Sequence, residues 1–191
     1  PGAPDYHLVR AIEEMEEVLR RDPAHPAARY YLGNFLRRNE KFERAEEVLR
    51  DSMKSEPSDW RAWTELARLY FKQKRLEEAQ AALADGRARF GKTVDWAAQE
   101  REVTLEWVKE EMRNSEYTLA ARALAELRRQ FPEDKELLFL DTFILMDSGD
   151  VKKAEKQFKA LLGDPKWDEA AKTNLARIYA LEGTQLETAK A

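Results

Sequence analysis

Hydrophobic and polar positions along this chain follow a helical rather than an alternating rhythm. Ala11, Ala45, Ala79, Ala120 and Ala154 are each followed four positions on by a large apolar residue, namely Met15, Leu49, Leu83, Leu124 and Phe158, in segments otherwise rich in Glu, Lys and Arg. Residues four apart share one face of a helix, so each segment reads as an amphipathic helix carrying a small residue beside a large one. Helix-ending residues follow at Pro23, Pro57, Gly91, Pro132 and Pro165.

The five alanines are spaced 34, 34, 41 and 34 residues apart. Such a period predicts stacked helix pairs, because one pair alone cannot bury its apolar face. Trp63-x-x-Leu66-Ala67-x-x-Tyr70 precedes Ala79, Leu32-Gly33 and Phe42 precede Ala45, and Gly149-Asp150 precedes Ala154. On these residues the chain resembles the tetratricopeptide repeat (TPR) family over nearly its whole length. The resemblance implies an all-α fold, a right-handed superhelical solenoid of antiparallel helix pairs. In it the small residue lets two helices approach while the large ones fill the space between pairs. Its register gives a second helix of an incomplete repeat over 5–25, repeats over 26–59, 60–93, 94–134 and 135–168, and an incomplete repeat over 169–191. Both ends then fall inside repeats, as expected of a piece of a longer array, and Gly183 is expected to turn the chain after a first helix over 169–182. The 94–134 repeat holds seven extra residues, close to two helical turns. Trp96, Val103 and Trp107 share a face there and predict one long first helix from about Val94 to Arg113, the competing arrangement being an extended loop over 91–95.

Composition agrees, since 27 Ala, 25 Glu and 22 Leu against 7 Val and 3 Ile favour helix over strand. With no Cys and only His7 and His25, there is no disulfide framework, thiolate metal site or His cluster. The longest near-apolar stretch, Leu137 to Met146, is interrupted by Asp141 and Thr142 and falls short of the roughly 18 residues a bilayer requires, so no membrane insertion is expected. Charged residues make up 37% of the chain and the net charge is −4, as in a soluble protein. Pro1-Gly2-Ala3-Pro4 shows neither an initiator Met nor a signal peptide and looks like a cut end, which leaves cytoplasm and periplasm equally open.

Gly86-Arg-Ala-Arg-Phe-Gly91-Lys92-Thr93 matches the phosphate-loop pattern letter for letter, and Leu137 to Leu140 ending in Asp141 could pass for a magnesium-holding strand. That chemistry needs a strand before the loop, whereas Leu76 to Leu83 is charged, alanine-rich and helical. The repeat already explains both glycines, so no nucleotide or other cofactor is expected. Asp141 is harder to place: its register position holds Leu32, Leu66 and Leu175 in other repeats, and a buried unpaired carboxylate is costly. A local partner or a slight helix rotation is the expected resolution. No Ser/His/Asp or Cys/His arrangement occurs, so no catalytic residues are assigned.

In TPR proteins the concave groove is lined by the second, fifth, ninth, twelfth and thirteenth residues of each first helix. Carried over by register, the resemblance implies a partner-binding groove at Tyr30, Asn34, Arg37, Arg38, Arg61, Arg68, Lys72, Leu105, Lys109, Met112, Phe139, Phe143, Met146 and Arg177. The chaperone-clamp subclass of the family is not matched, because Tyr30 and Glu65 stand where it has Lys and Asn. The implied function is a non-catalytic protein–protein interaction scaffold. Its partner would be a protein or peptide segment with acidic side chains for the arginines and apolar ones for Phe139, Phe143 and Met146. Long arrays of this family serve bacterial envelope assemblies such as exopolysaccharide or pilus export, and cytoplasmic complexes as well. The other readings are a purely architectural array, self-association included, or an RNA-binding helical repeat, which the acidic pI of about 5.5 disfavours.

Overall fold

A computed structural model describes residues 6–25 and 27–188, and among them every element is a helix. The order is α1 (Tyr6–Arg21), α2 (Ala28–Arg38), α3 (Phe42–Ser55), α4 (Arg61–Lys72), α5 (Leu76–Phe90), α6 (Trp96–Arg113), α7 (Tyr117–Gln130), α8 (Lys135–Asp147), α9 (Val151–Ala160) and α10 (Asp168–Thr188). The chain divides into two compact units, one ending at Trp107 and one beginning at Val108.

In the first unit α1 packs on α2, α2 on α3 and α4, α3 on α4, and α4 on α5. Ala45 and Ala79 are wholly buried, as the close approach of paired helices requires. Gly33 shows how close: a Cβ placed there would lie 2.5 Å from two side-chain carbons of Leu49. The first part of α6 closes this unit through Trp96, Val103 and Trp107, all buried, with Trp107 stacked on Phe71 at 4.7 Å between ring centres. Eighteen residues long, α6 exceeds α2, α4 and α8, and it starts at Trp96, so the segment before it is a short turn rather than an extended loop.

In the second unit α7 packs on α8, α8 on α9 and α9 on α10. Ala120 and Ala154 are wholly buried. Around Ala154 lies a core of Phe158, Leu161, Ala171, Leu175 and Ile178, on which Phe139, Phe143, Met146 and Trp167 rest.

Four turns between paired helices share one backbone device. Glu40, Lys74, Ser115 and Gly149, at the same register position, take positive φ of 58°, 60°, 62° and 82°. The amide of the next residue then reaches back to a carbonyl of the preceding helix, as in Lys41 to Leu36 at 2.9 Å and Arg75 to Tyr70 at 2.9 Å. That is the left-handed C-terminal closure in which glycine is the unstrained choice.

Two expectations are corrected. Ala11 is half-exposed where its four register equivalents are fully buried, because no helix among the described residues covers its side of α1. Gly183 makes no turn: α10 runs through it to Thr188, since Leu181, Glu182, Gln185 and Leu186 around it are good helix formers and Gly183 takes no positive φ.

Candidate functional site

The first-helix face of the first unit is polar, and three of its cations, Arg37, Arg61 and Arg68, are held by carboxylates of the same unit. Arg37 and Asn34 both donate to Oε1 of Glu65, the Asn34 bond being 2.9 Å, and Glu65 is almost completely buried. One helix further on, Arg68 donates to Glu106 at 3.1 Å and Glu102 at 3.3 Å. In the second unit Lys109 donates to Glu136 at 2.7 Å. The ninth residue of a first helix thus repeatedly meets the second or sixth of the following one. Three of the charges expected to await a partner are used in stacking the repeats.

Arg61 is fixed differently. Both oxygens of Asp59 accept from its guanidinium at 2.8 Å, and the same carboxylate accepts the Arg61 backbone amide at 3.1 Å. The guanidinium is thereby laid 4.8 Å from the Tyr30 ring centre and 5.8 Å from that of Tyr31. The two rings meet edge to face at 5.0 Å. Burial and then the Glu65 charge push the Tyr30 hydroxyl pKa up, so that side chain stays a neutral donor at physiological pH. Beside this cluster opens a hollow of about 540 Å³ lined by Ala27, Pro57, Asp59, Trp60 and Arg61 among others. Tyr31, 44% exposed, and Asp59 were not among the residues expected from register. Asp59 two residues ahead of Arg61 at a helix start was the signal that could have found it.

The remaining expected residues separate by accessibility. Arg38, Lys72 and Arg177 are exposed, Met112 is half-buried, and Leu105, 5% exposed, belongs to the core of the first unit and offers a partner no surface. Phe139 stacks on Trp167 at 4.5 Å and meets Phe143 edge to face at 5.1 Å, and Met146 rests on the same core. Phe139 and Phe143 also meet Phe158 edge to face, so this apolar group packs on the core that α9 and α10 share. Asp141 has the local partners its position demanded, Arg128 of α7 and Gln157 of α9, the latter at 3.1 Å.

The phosphate-loop lookalike has none of the required context. Gly86 lies inside α5, where an added Cβ would sit 2.2 Å from the Trp96 ring, and the amides of Gly91, Thr93 and Val94 are spent on the carbonyls of Arg87 and Phe90. No backbone cradle faces outward there. Among the described residues no three metal-ligating side chains gather, and no helix is long and apolar enough to cross a membrane.

Sequence models described as tetratricopeptide repeat match residues 6–59, 36–99 and 105–140, which together exceed half of the chain. No curated protein sequence matches. Among solved structures, a tetratricopeptide repeat protein from Parabacteroides merdae is similar over 94% of this chain and 69% of its own, with a TM-score of 0.57 at 16% identity. A structure of Naa15/Naa10 bound to HypK-THB is similar over 94% of this chain, which spans 27% of that one, with a TM-score of 0.51 at 16% identity. At such identities the structures speak for the fold alone. The fold, the 34-residue register with its buried alanines and the matching sequence models agree, and the chain belongs to the tetratricopeptide repeat family, whose repeats generally serve as protein–protein interaction modules and whose members are typically non-catalytic scaffolds.

Proposed function

We propose that this chain is a non-catalytic scaffold that seats a partner protein segment on the first-helix face of its first unit, at Tyr30, Tyr31 and Arg61. The observation that carries this reading is the Arg61 guanidinium, locked by Asp59 across two tyrosine rings beside an open hollow. A cation and two rings already held in place lose little entropy when a partner arrives, which is the property of a binding hot spot. Because Asp59 occupies the planar edge of Arg61, the exposed ring of Tyr31 receives apolar or proline groups. Acidic groups of the same segment meet the exposed Arg38. By analogy with long arrays of this family, the setting we propose is a bacterial envelope complex of the exopolysaccharide- or pilus-export kind.

A photo-crosslinking residue at Arg38 should capture the partner in cells, and one at Glu47, on the exposed face of α3, should not. Once the partner is identified, Arg61→Ala should weaken it about thirtyfold, equal to roughly 2 kcal/mol. Capture through Glu47 with Arg61→Ala silent would move binding to the second-helix face.

A further inference from the structure

One position of the first helices can be compared from repeat to repeat. Tyr70 and Tyr179 hold it in two repeats, and Leu36, Glu111 and Leu145 in the others. Where it is tyrosine, the preceding second helix meets the side chain with a carboxylate and, four residues on, a cation. The Tyr70 hydroxyl donates to Glu46 at 2.9 Å and accepts from Arg50 at 2.8 Å. Arg75, from the turn after α4, lies 4.4 Å from the same ring centre, and Tyr70 is 3% exposed. Tyr179 donates to Glu155 at 3.0 Å, with the Lys159 ammonium 6.0 Å from its ring centre.

Leu36 brings no ring to that place. A hollow of about 400 Å³ opens beside it, between α1 and the start of α3. Its apolar lining is Val9, Ile12 and Leu36, the last two buried. Lys41 lines it from the register position of Arg75, and Glu16 from that of Arg50. Glu16 is paired with Arg44 at 2.5 Å through Oε1, which is enclosed, while part of the side chain is exposed, so Oε2 is the oxygen that opens outward. The cation and the hydrogen-bonding group of a tyrosine site are present, and the ring is missing.

We infer that this hollow binds a small free phenol, with its ring on Val9, Ile12 and Leu36, the Lys41 ammonium beside the ring, and its hydroxyl donating to Oε2 of Glu16. A ring held between an apolar wall and a cation gains from both, and a carboxylate is a stronger acceptor for its hydroxyl than a neutral oxygen. Glu13 and Glu43 add carboxylates to the rim. They repel the acidic segment proposed for the first-helix face and leave an uncharged molecule of one ring as the occupant that fits. The inference does not rest on the Arg61 site.

The probe is p-cresol, the tyrosine ring with a methyl group in place of the backbone. Titrated into the whole chain, it should shift the amide resonances of Val9, Ile12, Leu36 and Lys41 saturably, with half-saturation near about 1 mM, as expected of so small a ligand. Its methyl ether, which lacks the donor hydrogen, should bind about tenfold more weakly, and Glu16→Gln, at a partly exposed position, should weaken p-cresol about threefold. Leu36→Tyr supplies the ring from within: helical circular dichroism should be kept, the urea midpoint should rise, and the p-cresol shifts should vanish. Shifts that do not saturate by about 20 mM, equal binding of p-cresol and its ether, indifference to Glu16→Gln, or a Leu36→Tyr chain that unfolds or still binds would each overturn the inference. Tighter binding of N-acetyltyrosinamide than of p-cresol would overturn it as well, in favour of a tyrosine carried by another protein.

Discussion

Gly86 sits where the ring of Trp96 leaves no room for a methyl group. Gly86→Ala should destabilise the chain by about 1–3 kcal/mol, as overpacking of a rigid contact does, read as a lower urea midpoint. Lys92→Ala, a few residues away and exposed, should stay within about 0.5 kcal/mol of the parent and leave its melting temperature unmoved by magnesium and ATP. A Lys92-dependent thermal shift with that nucleotide would restore the phosphate-loop reading. Asp141 allows a second comparison. Arg128→Met leaves a part-buried carboxylate with only Gln157 and should cost about 1–2 kcal/mol, whereas Arg128→Met with Asp141→Leu should recover most of that loss, because Leu is what the register places there. The roles of both glycines were legible from spacing alone. The partners of Asp141 were not, since Arg128 and Gln157 stand 13 and 16 residues away on other helices and nothing local marks them.

The helices themselves were legible, because a 34-residue register fixes both the period and the buried face. Their connecting turns were only partly so: Gly149 announced the left-handed closure, but Glu40, Lys74 and Ser115 adopt it without a glycine to signal it. Ser115→Gly and Lys74→Gly should each stabilise by about 0.5–1 kcal/mol, the strain of a left-handed non-glycine residue less the added freedom of the unfolded chain. Gly149→Ala should do the reverse, all three being measurable by urea titration. Between α3 and α4 the Glu46 carboxylate accepts from Tyr70, Arg50 and Arg75. Burial alone would raise its pKa, but these bonds outweigh burial and hold it below the ordinary 4.5. A carboxyl depressed by folding contributes stability that is complete above its unfolded pKa and disappears as pH falls through the folded one. The stability difference between the parent chain and Glu46→Gln should therefore be constant near neutral pH and close below about pH 4. A difference that persists in acid would mean that Glu46 acts through packing instead.

At the level of the whole molecule, the register could not show that Arg37, Arg68 and Lys109 are already engaged. Whether a surface cation faces water or a neighbouring repeat depends on contacts 27 to 38 residues away. Stability in stacked repeats is close to a sum over neighbours, so helices covered on one side should open first. Amide exchange should be slowest in α3, α4 and α5 of the first unit and in α8 and α9 of the second, and faster in α1 and the distal half of α10. Equal protection of α1 and α4 would contradict this ordering. Stacking Trp167 against Phe139 has one more result. Of the five tryptophans, Trp60, Trp63, Trp96 and Trp107 belong to the first unit and Trp167 alone to the second. The chain thus carries its own spectroscopic label on each unit. Emission from Trp167→Phe reports the first unit only, and subtracting it from the parent signal isolates the second, so one pair of fluorescence melts distinguishes a single cooperative unfolding from two successive ones.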